Sequence, residues 1–197
     1  MALTPTMARV GVTGAMFVAP SGTAAPAGLA VPAAPWADAG YVSDNGLVES
    51  RNETRQTHTP WQSLTPIRTD ITGSAKEFHI ILWESKATSV SLYYQVPVAS
   101  MVSTTAVTGP PAVPAYMSFD EPAIPAQDIR AMLFDIFDGA NQRRFYCSRA
   151  EVTARGDVTY KTDTMVGYDL TITAYPGTGG IAVSRIFAEG WNATTPA

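Results

Sequence analysis

The 197-residue sequence has little of the side-chain chemistry on which metal sites and disulfide scaffolds depend. It contains one cysteine and two histidines, and charged residues make up only 15% of it. A single cysteine, Cys147, cannot close an intrachain disulfide, and its apolar surroundings predict a small buried side chain. A tetrahedral metal site needs several Cys or His residues at close spacing. The composition therefore predicts no metal site and no disulfide framework.

Recognisable catalytic groups are equally scarce. His58 and His79 lie outside any nucleophile motif, and we interpret them as a loop residue and a strand residue. The Gly-rich residues 177–180 lack the Lys and Ser/Thr of a phosphate-binding loop. Several carboxylates occupy predicted loops and turns, where Asp commonly bonds its own backbone: Asp120, Glu121, Asp135 and Asp138. We predict no catalytic residues, no cofactor and no enzymatic activity.

Basic clusters and long apolar runs are also missing. The chain has 13 Lys and Arg against 17 Asp and Glu, a net charge of −4, and its densest basic spot is Arg143, Arg144 and Arg149. Proteins that bind nucleic acid need clustered basic residues to displace counterions from phosphate. No stretch approaches the roughly 18 apolar residues of a membrane-spanning helix. We therefore predict neither specific nucleic-acid binding nor a membrane span.

What is present indicates one mainly β domain over residues 1–197. Apolar residues reach 46%, with 15 glycines and 15 prolines, a composition that favours strands and turns. Residues 85–96 fit a short helix or a strand, and we favour the helix. Runs of β-forming or alternating residues predict six strands. They lie at 9–19, at 74–85 with apolar residues on both faces, at 129–137, twice within 143–160 around a turn at 155–157, and at 167–177.

Four segments are predicted to be irregular or extended. The Ala/Pro-rich residues 20–35 suit a flexible loop or arm, and 97–126, with six prolines, suit a long irregular loop. The motif Asp44-Asn45-Gly46 predicts a tight turn. It leads into the polar residues 47–72, which we interpret as an exposed arm or hairpin. Residues 190–197 are predicted to form a short polar tail.

Several stretches follow one another in a specific order: "VGVTGAMFVAPSGTAAP" (10–26), "WADAGYVSDNGLVES" (36–50), "WQSLTPIRTD" (61–70), "FHIILWES" (78–85) and "RRFYCSRAEVTARGDVTYKTDTMVGYDLTITAYPG" (143–177). Together they resemble the major tail proteins, or tail tube proteins, of long-tailed bacteriophages with flexible, non-contractile tails (siphophages). The resemblance spans most of the chain, although the Pro-rich loop is longer than the simplest members of that family need.

The resemblance implies a tail-tube-like β-sandwich or barrel with one short flanking helix and extended loops or arms. It also implies a structural virion protein whose homohexameric rings stack helically into the tail tube around the tape measure protein. The implied further partners are the tail terminator and distal tail proteins. DNA would pass through the lumen without specific binding, and assembly would take place in the cytoplasm of the host bacterium.

Under that resemblance we expect residues 47–72 to serve contacts between rings. The candidate subunit-contact residues are Tyr41, Leu47, Glu49, Arg51, Arg55, Trp61 and Arg68. An acidic lumen would let DNA slide, whereas a basic one would hold it; the candidate lumen-facing residues are Glu77 and Asp135.

A function of another class stays open at this point. The aromatic side chains could line the cleft of a small β-sandwich module that binds carbohydrate or a host surface. Those residues are Trp36, Trp61, Trp83, Trp191, Tyr93 and Tyr94.

Overall fold

The computed structural model describes residues 8–191, so most of the predicted tail at 190–197 lies outside the described residues. The fold is mainly β with one α-helix in this range, as predicted. The helix α1 spans Ala87–Tyr94. The ten strands are β1 (Thr13–Pro20), β2 (Ala37–Asp38), β3 (Val42–His58), β4 (Arg68–Leu82), β5 (Val102–Thr104), β6 (Tyr116–Ser118), β7 (Arg130–Asp138), β8 (Asn141–Arg155), β9 (Tyr168–Ala174) and β10 (Ser184–Phe187).

The main sheet is antiparallel and is organised around the long strand β8. Its order is β2-β1-β7-β8-β9-β4-β3, and β10 also pairs with β8. β10 lies along the first half of β8 and β9 along the second half. β8 therefore joins two half-sheets, one made of β2, β1, β7 and β10 and the other of β9, β4 and β3.

The hydrophobic core lies between these two half-sheets. Alternate residues of β4 and β9 are buried, as the alternating pattern of their sequences requires: Phe78, Ile80, Leu82, Leu170 and Ile172. The Phe78 ring of β4 stacks on the Phe134 ring of β7 with centroids 4.8 Å apart. Because β4 and β7 are not neighbours in the sheet, this contact shows that the sheet folds over on itself, as in a sandwich.

Helix α1 closes one end of the core. Val90 and Leu92 point into it, and the Arg130 guanidinium donates a hydrogen bond to Ser91 Oγ at 2.6 Å. The helix ends at Tyr94, and the capping residue after it, Gln95, adopts a left-handed conformation (φ 58°). This confirms the helical interpretation of the segment.

The outer face of the first half-sheet is covered by residues 20–35, the segment predicted to be a flexible loop or arm. Tyr146 donates its hydroxyl to the Thr23 carbonyl at 2.6 Å. The Arg144 guanidinium donates to the carbonyls of Gly28 and Ala30 at 3.0 and 2.9 Å. Residues 20–35 are thus held on the sheet by side chains of β8, and this half-sheet is buried on both faces.

Arg144 also forms a fully buried ion pair. Its guanidinium donates two hydrogen bonds of 2.7 Å to the two carboxylate oxygens of Asp135, and the residues are 0% and 3% exposed. Such a bidentate pair satisfies both charges away from water. The prediction that Asp135 faces a lumen is therefore wrong, because its carboxylate lies under the 20–35 segment.

Four other local predictions differ from the structure. Asp44-Asn45-Gly46 forms a bulge inside β3, not a turn, and Gly46 supplies the positive φ of 65°. Residues 143–160 contain one strand, β8, followed by a loop. The Pro-rich residues 97–126 include a small hairpin of β5 and β6. A further strand, β10, follows the predicted last one.

The first prediction concerns the buried ion pair. Arg144→Met should lower the free energy of unfolding by about 3–5 kcal/mol, because it leaves the Asp135 carboxylate buried without its partner. The matched control is Arg68→Met, since Arg68 also pairs with an aspartate (Asp70) but its side chain is 71% exposed, and such pairs contribute about 1 kcal/mol or less. Urea unfolding measures both values, and equal losses would contradict the assignment.

A second prediction concerns Cys147, which is fully buried as expected. Burial raises the pKa of its thiol to about 12, so almost no thiolate forms at pH 8. A thiol reagent should leave the folded protein unmodified at that pH and label one thiol per chain in denaturant. Because the folded-state pKa lies above the ordinary 9.0, the folded state holds the proton more tightly, and this contribution to stability should decline as the pH rises above about 9.

Candidate assembly interface

Strands β3 and β4 extend beyond the sheet as a two-stranded hairpin. β4 pairs with β9 only over Glu77–Leu82, whereas its pairing with β3 continues from Leu82 to Arg68. We call residues 50–76 the arm. Residues 50–58 alone extend roughly 30 Å at 3.3 Å per residue. A two-stranded ribbon of this kind is marginally stable in water without further packing.

The interactions along the arm are local and polar. Asn52 donates to Glu77 at 2.7 Å, and Arg55 and Arg68 pair with carboxylates two residues away, Glu53 and Asp70, at 2.8 and 2.7 Å. Exposed pairs like these contribute little to stability. Nearly every residue from 50 to 69 is exposed, so the arm contributes almost nothing to the core.

The tip of the arm, residues 59–67, is apolar where it is most exposed. Trp61 is 99% exposed and Leu64 is 100% exposed, with Ile67 beside them at 73%. A large aromatic side chain without protein contacts at the end of a polar ribbon is typical of a surface that meets a partner. It is the clearest such feature of the arm.

The root of the arm is fixed to the body by an ion cluster. Arg185 of β10 donates to the Glu49 carboxylate, and Arg143 lies 3.8 Å from its other oxygen. The Arg143 guanidinium also stacks over the Phe145 and Phe187 rings, at 4.4 and 4.8 Å from their centroids. Desolvation lowers the pKa of Arg143, and the nearby Glu49 charge opposes that shift.

The predicted contact residues fall into two groups. Leu47 packs against the core and Glu49 is held by two arginines of its own chain, so these two belong to the root of the arm. Five are exposed: Tyr41, Arg51, Arg55, Trp61 and Arg68. Sequence reasoning missed Arg143 and Arg185 as partners of Glu49, because β10 has only four residues and too short an alternation to reveal a strand.

The second half-sheet has a face that the described chain does not cover. Register pairs place Glu77 of β4, Thr173 of β9 and Glu151 of β8 in one row across the strands. The next rows add the pairs His79 with Thr171 and Ile81 with Asp169. We call this the polar face. Its side chains are half-exposed, so the expectation that strand 74–85 is covered on both faces is wrong.

Hydrogen bonds order the polar face. Thr153 and Thr173 share a hydrogen bond of 2.8 Å, and His79 Nε2 lies 2.6 Å from an Asp169 oxygen. Three carboxylates lie on it, those of Glu77, Glu151 and Asp169. Of the two predicted lumen-facing residues, Glu77 is on this face and Asp135 is on the covered half-sheet.

Strand edges are the remaining assembly features. β3 ends the sheet order, and no strand within residues 8–191 pairs with its outer edge. An edge of this length exposes a row of backbone N–H and C=O groups to which another chain can add. The Pro-rich residues 97–126 add exposed apolar side chains, among them Val102, Tyr116 and Ile124.

The described residues show no arrangement typical of a metal centre. Within 8–191 no group of three or more His, Cys, Asp or Glu side chains could hold a metal ion, and no helix there is both long and apolar enough to span a bilayer. Trp36 packs edge-on against Tyr146, whereas Trp61 lies fully exposed at the tip of the arm. These two tryptophans therefore do not line one cleft, as the alternative prediction would require.

A family model described as "Phage tail tube protein" matches residues 1–193. The search of curated proteins found no match. The matched region includes both half-sheets, the arm and the Pro-rich hairpin, and so covers the entire fold described above. The chain therefore belongs to the phage tail tube protein family.

Proposed function

We propose that this chain forms the tube of a non-contractile siphophage tail by assembling into homohexameric rings that stack helically. The observation that carries the proposal is the arm, an exposed hairpin with an apolar tip on a member of the tail tube family. A ribbon that projects from the body and packs on nothing in its own chain acquires a stabilising surface when it contacts the next ring. In the assembled tail it supplies the contacts between rings.

Ring formation uses the unpaired outer edge of β3. A neighbouring subunit that adds a strand there satisfies the free backbone groups and continues the sheet around the ring. Six repetitions close a cyclic assembly in which no such edge is left open. An edge that would promote aggregation of a monomer thereby becomes the contact that defines the ring.

The polar face lines the channel in this arrangement. Glu77, Glu151 and Asp169 give it negative charge, while the threonines offer hydroxyl groups that are neutral. DNA phosphates are repelled by such a wall and are not captured, so the DNA can slide through without specific binding. The other half-sheet is unsuited to this role, because its outer face is covered by residues 20–35.

The tape measure protein occupies the channel during assembly, and the tail terminator and distal tail proteins bind the two ends of the tube. Assembly takes place in the cytoplasm of the host bacterium, and the product resides in the tail of the virion. The function of the tube is to conduct DNA into the host during infection, a structural task that requires no catalysis.

Electron microscopy of the purified chain over a rising concentration series tests the proposal. We expect six-fold rings and hollow rods, with rods becoming more frequent as the concentration rises. If monomers alone are present at every concentration, even after tail-initiation proteins have been added, the tube-forming function is wrong.

An arm-shortened variant tests the role of the arm. Asn52 and Ala75 are register partners, so replacing residues 53–74 by Asn-Gly closes the hairpin with a two-residue loop. Because the removed residues pack on no core side chain, the free energy of unfolding should change by about 1 kcal/mol or less. Stacking should be abolished. Shortened chains that still form rods of wild-type length would show that the arm does not join rings.

A further inference from the structure

A cleft of about 640 Å³ lies between β1 and β3, where the two ends of the folded sheet approach each other. Residues 11–15 form one wall and residues 40–47 the other. Ile80, Phe134 and Ile136 form an apolar floor. This volume is within the range of roughly 300–1,000 Å³ that is typical of binding pockets.

The cleft is open because neither wall is hydrogen-bonded to the other. In β3 the register runs from the pair Val42–Leu82 directly to the pair Leu47–Ile80, so a bulge of β3 stands away from β4. On the opposite wall, β2 pairs with β1 only at Phe17 and Val18. The bulge and the first residues of β1 thus face each other without a ladder between them.

One buried polar group in the cleft lacks a partner. The Ser43 hydroxyl lines the cleft, is 5% exposed as a residue, and has no hydrogen-bond partner in the described part of the chain. A buried hydroxyl left unpaired costs free energy that a bound donor or acceptor recovers. The cleft therefore suits an occupant that is largely apolar and carries one polar hydrogen.

The tip of the arm has this chemistry. Trp61 combines a large apolar ring with a single N–H donor and no acceptor, and it has nothing to pack against in its own chain.

The net charge of the arm is opposite to that of the rest of the chain. The arm carries four basic and two acidic side chains, a net +2, so the rest of the chain, from a total of −4, carries −6. The residues that line the cleft include the acidic Asp44 and no Lys or Arg, while the carboxylate of Asp135 is already paired with Arg144.

A chain cannot fill its own cleft with its own tip. The cleft lies at residues 40–47, beside the root of the arm, while the tip begins after His58 at the far end of the same strand. The separation from Leu47 to His58 is roughly 35 Å for a strand that rises 3.3 Å per residue. The occupant must come from a second copy.

We propose that the apolar tip of the arm of one copy docks in the cleft between β1 and β3 of a second copy, with the Trp61 ring on Ile80, Phe134 and Ile136 and its N–H donated to Ser43. Tip and cleft are different surfaces, so the contact is heterologous and repeats from copy to copy in an open series. The inference rests on the proposed tube function and specifies how one ring holds the next.

Crosslinking between two full-length chains tests this docking. Val12 lines the cleft and is exposed, and the native Cys147 is buried and unreactive. Gln62 is exposed beside Trp61 in the tip, so a cysteine there leaves the Trp61 ring in place. Chains with Q62C and chains with V12C are mixed under assembly conditions and treated with a short bis-maleimide. We expect crosslinked dimers from this mixture. The matched control pairs Q62C with Y160C, since Tyr160 is as exposed as Val12 but does not line the cleft, and we expect no dimers from it.

Microscopy of the same samples separates the two hypotheses. Rods without Q62C–V12C dimers, or with Q62C–Y160C dimers in their place, would overturn the docking and leave the tube function standing. Absence of rods and dimers alike would count against both. Rods together with Q62C–V12C dimers would support both.

A mutant cycle tests the hydrogen bond itself. W61A should raise the critical concentration for assembly on the order of tenfold or more, as expected for a buried aromatic anchor. S43A should raise it less, and its effect should disappear in a W61F background, where no N–H remains. An S43A effect of the same size in both backgrounds would overturn the assigned contact. All four variants should keep the wild-type unfolding midpoint, because Trp61 has no contacts in the free chain and Ser43 has no partner to lose.

Discussion

Arg144 lies in a part of the molecule that water does not reach, so its charge depends on the Asp135 carboxylate and on two backbone carbonyls of the 20–35 segment. That set of bonds holds the segment on the sheet, and the segment in turn buries the pair. The consequence is an asymmetric sandwich. One half-sheet is covered on both faces, while the other has a free polar face, a free edge and the arm. The polar face, the free edge and the arm therefore all belong to the half built from β3, β4 and β9.

Stability and assembly are carried by separate parts of this chain. Buried side chains are concentrated where β8 joins the two half-sheets and under α1, and the arm beyond Glu49 adds almost none. Its sequence can therefore remain polar along its length and apolar at its tip without a conflict with folding. The ion cluster of Glu49, Arg143 and Arg185 marks the boundary, since it fixes the direction in which the arm leaves the body.

The sequence predicted those elements whose signals are local. The alternation of residues 129–137 between two strand faces predicted β7. The helical spacing of Ala87, Val90 and Tyr94 predicted α1. The polar composition of 47–72 predicted exposure, and exposure is observed. The prediction was wrong where one sequence motif is compatible with two local structures. Asp44-Asn45-Gly46 suits a hairpin turn, but it also suits a bulge that needs a positive φ at Gly46.

Other features depend on contacts that a single segment cannot reveal. Asp135 is surrounded by apolar residues in its own strand, so its segment shows no partner for the carboxylate, and only the pairing of β7 with β8 brings Arg144 to it. The two arginines that pair with Glu49 lie more than ninety residues further along the chain. The polar face is uncovered because residues 20–35 pack on the other half-sheet, and no single segment of the sequence reveals that choice. The cleft between β1 and β3 could not be predicted from the sequence, because its two walls come from separate segments that meet only when the sheet folds over.

The pairing of β4 with β9 has a mechanical consequence for any load carried through the arm. A pull on the tip along the ribbon is transmitted down both strands to the root, where β4 is joined to β9 by six register pairs from Glu77 to Leu82. Those hydrogen bonds run perpendicular to the strands, so the load shears them together and does not open them one at a time like a zipper. The arm is thus anchored in the geometry in which a β-ladder best resists force.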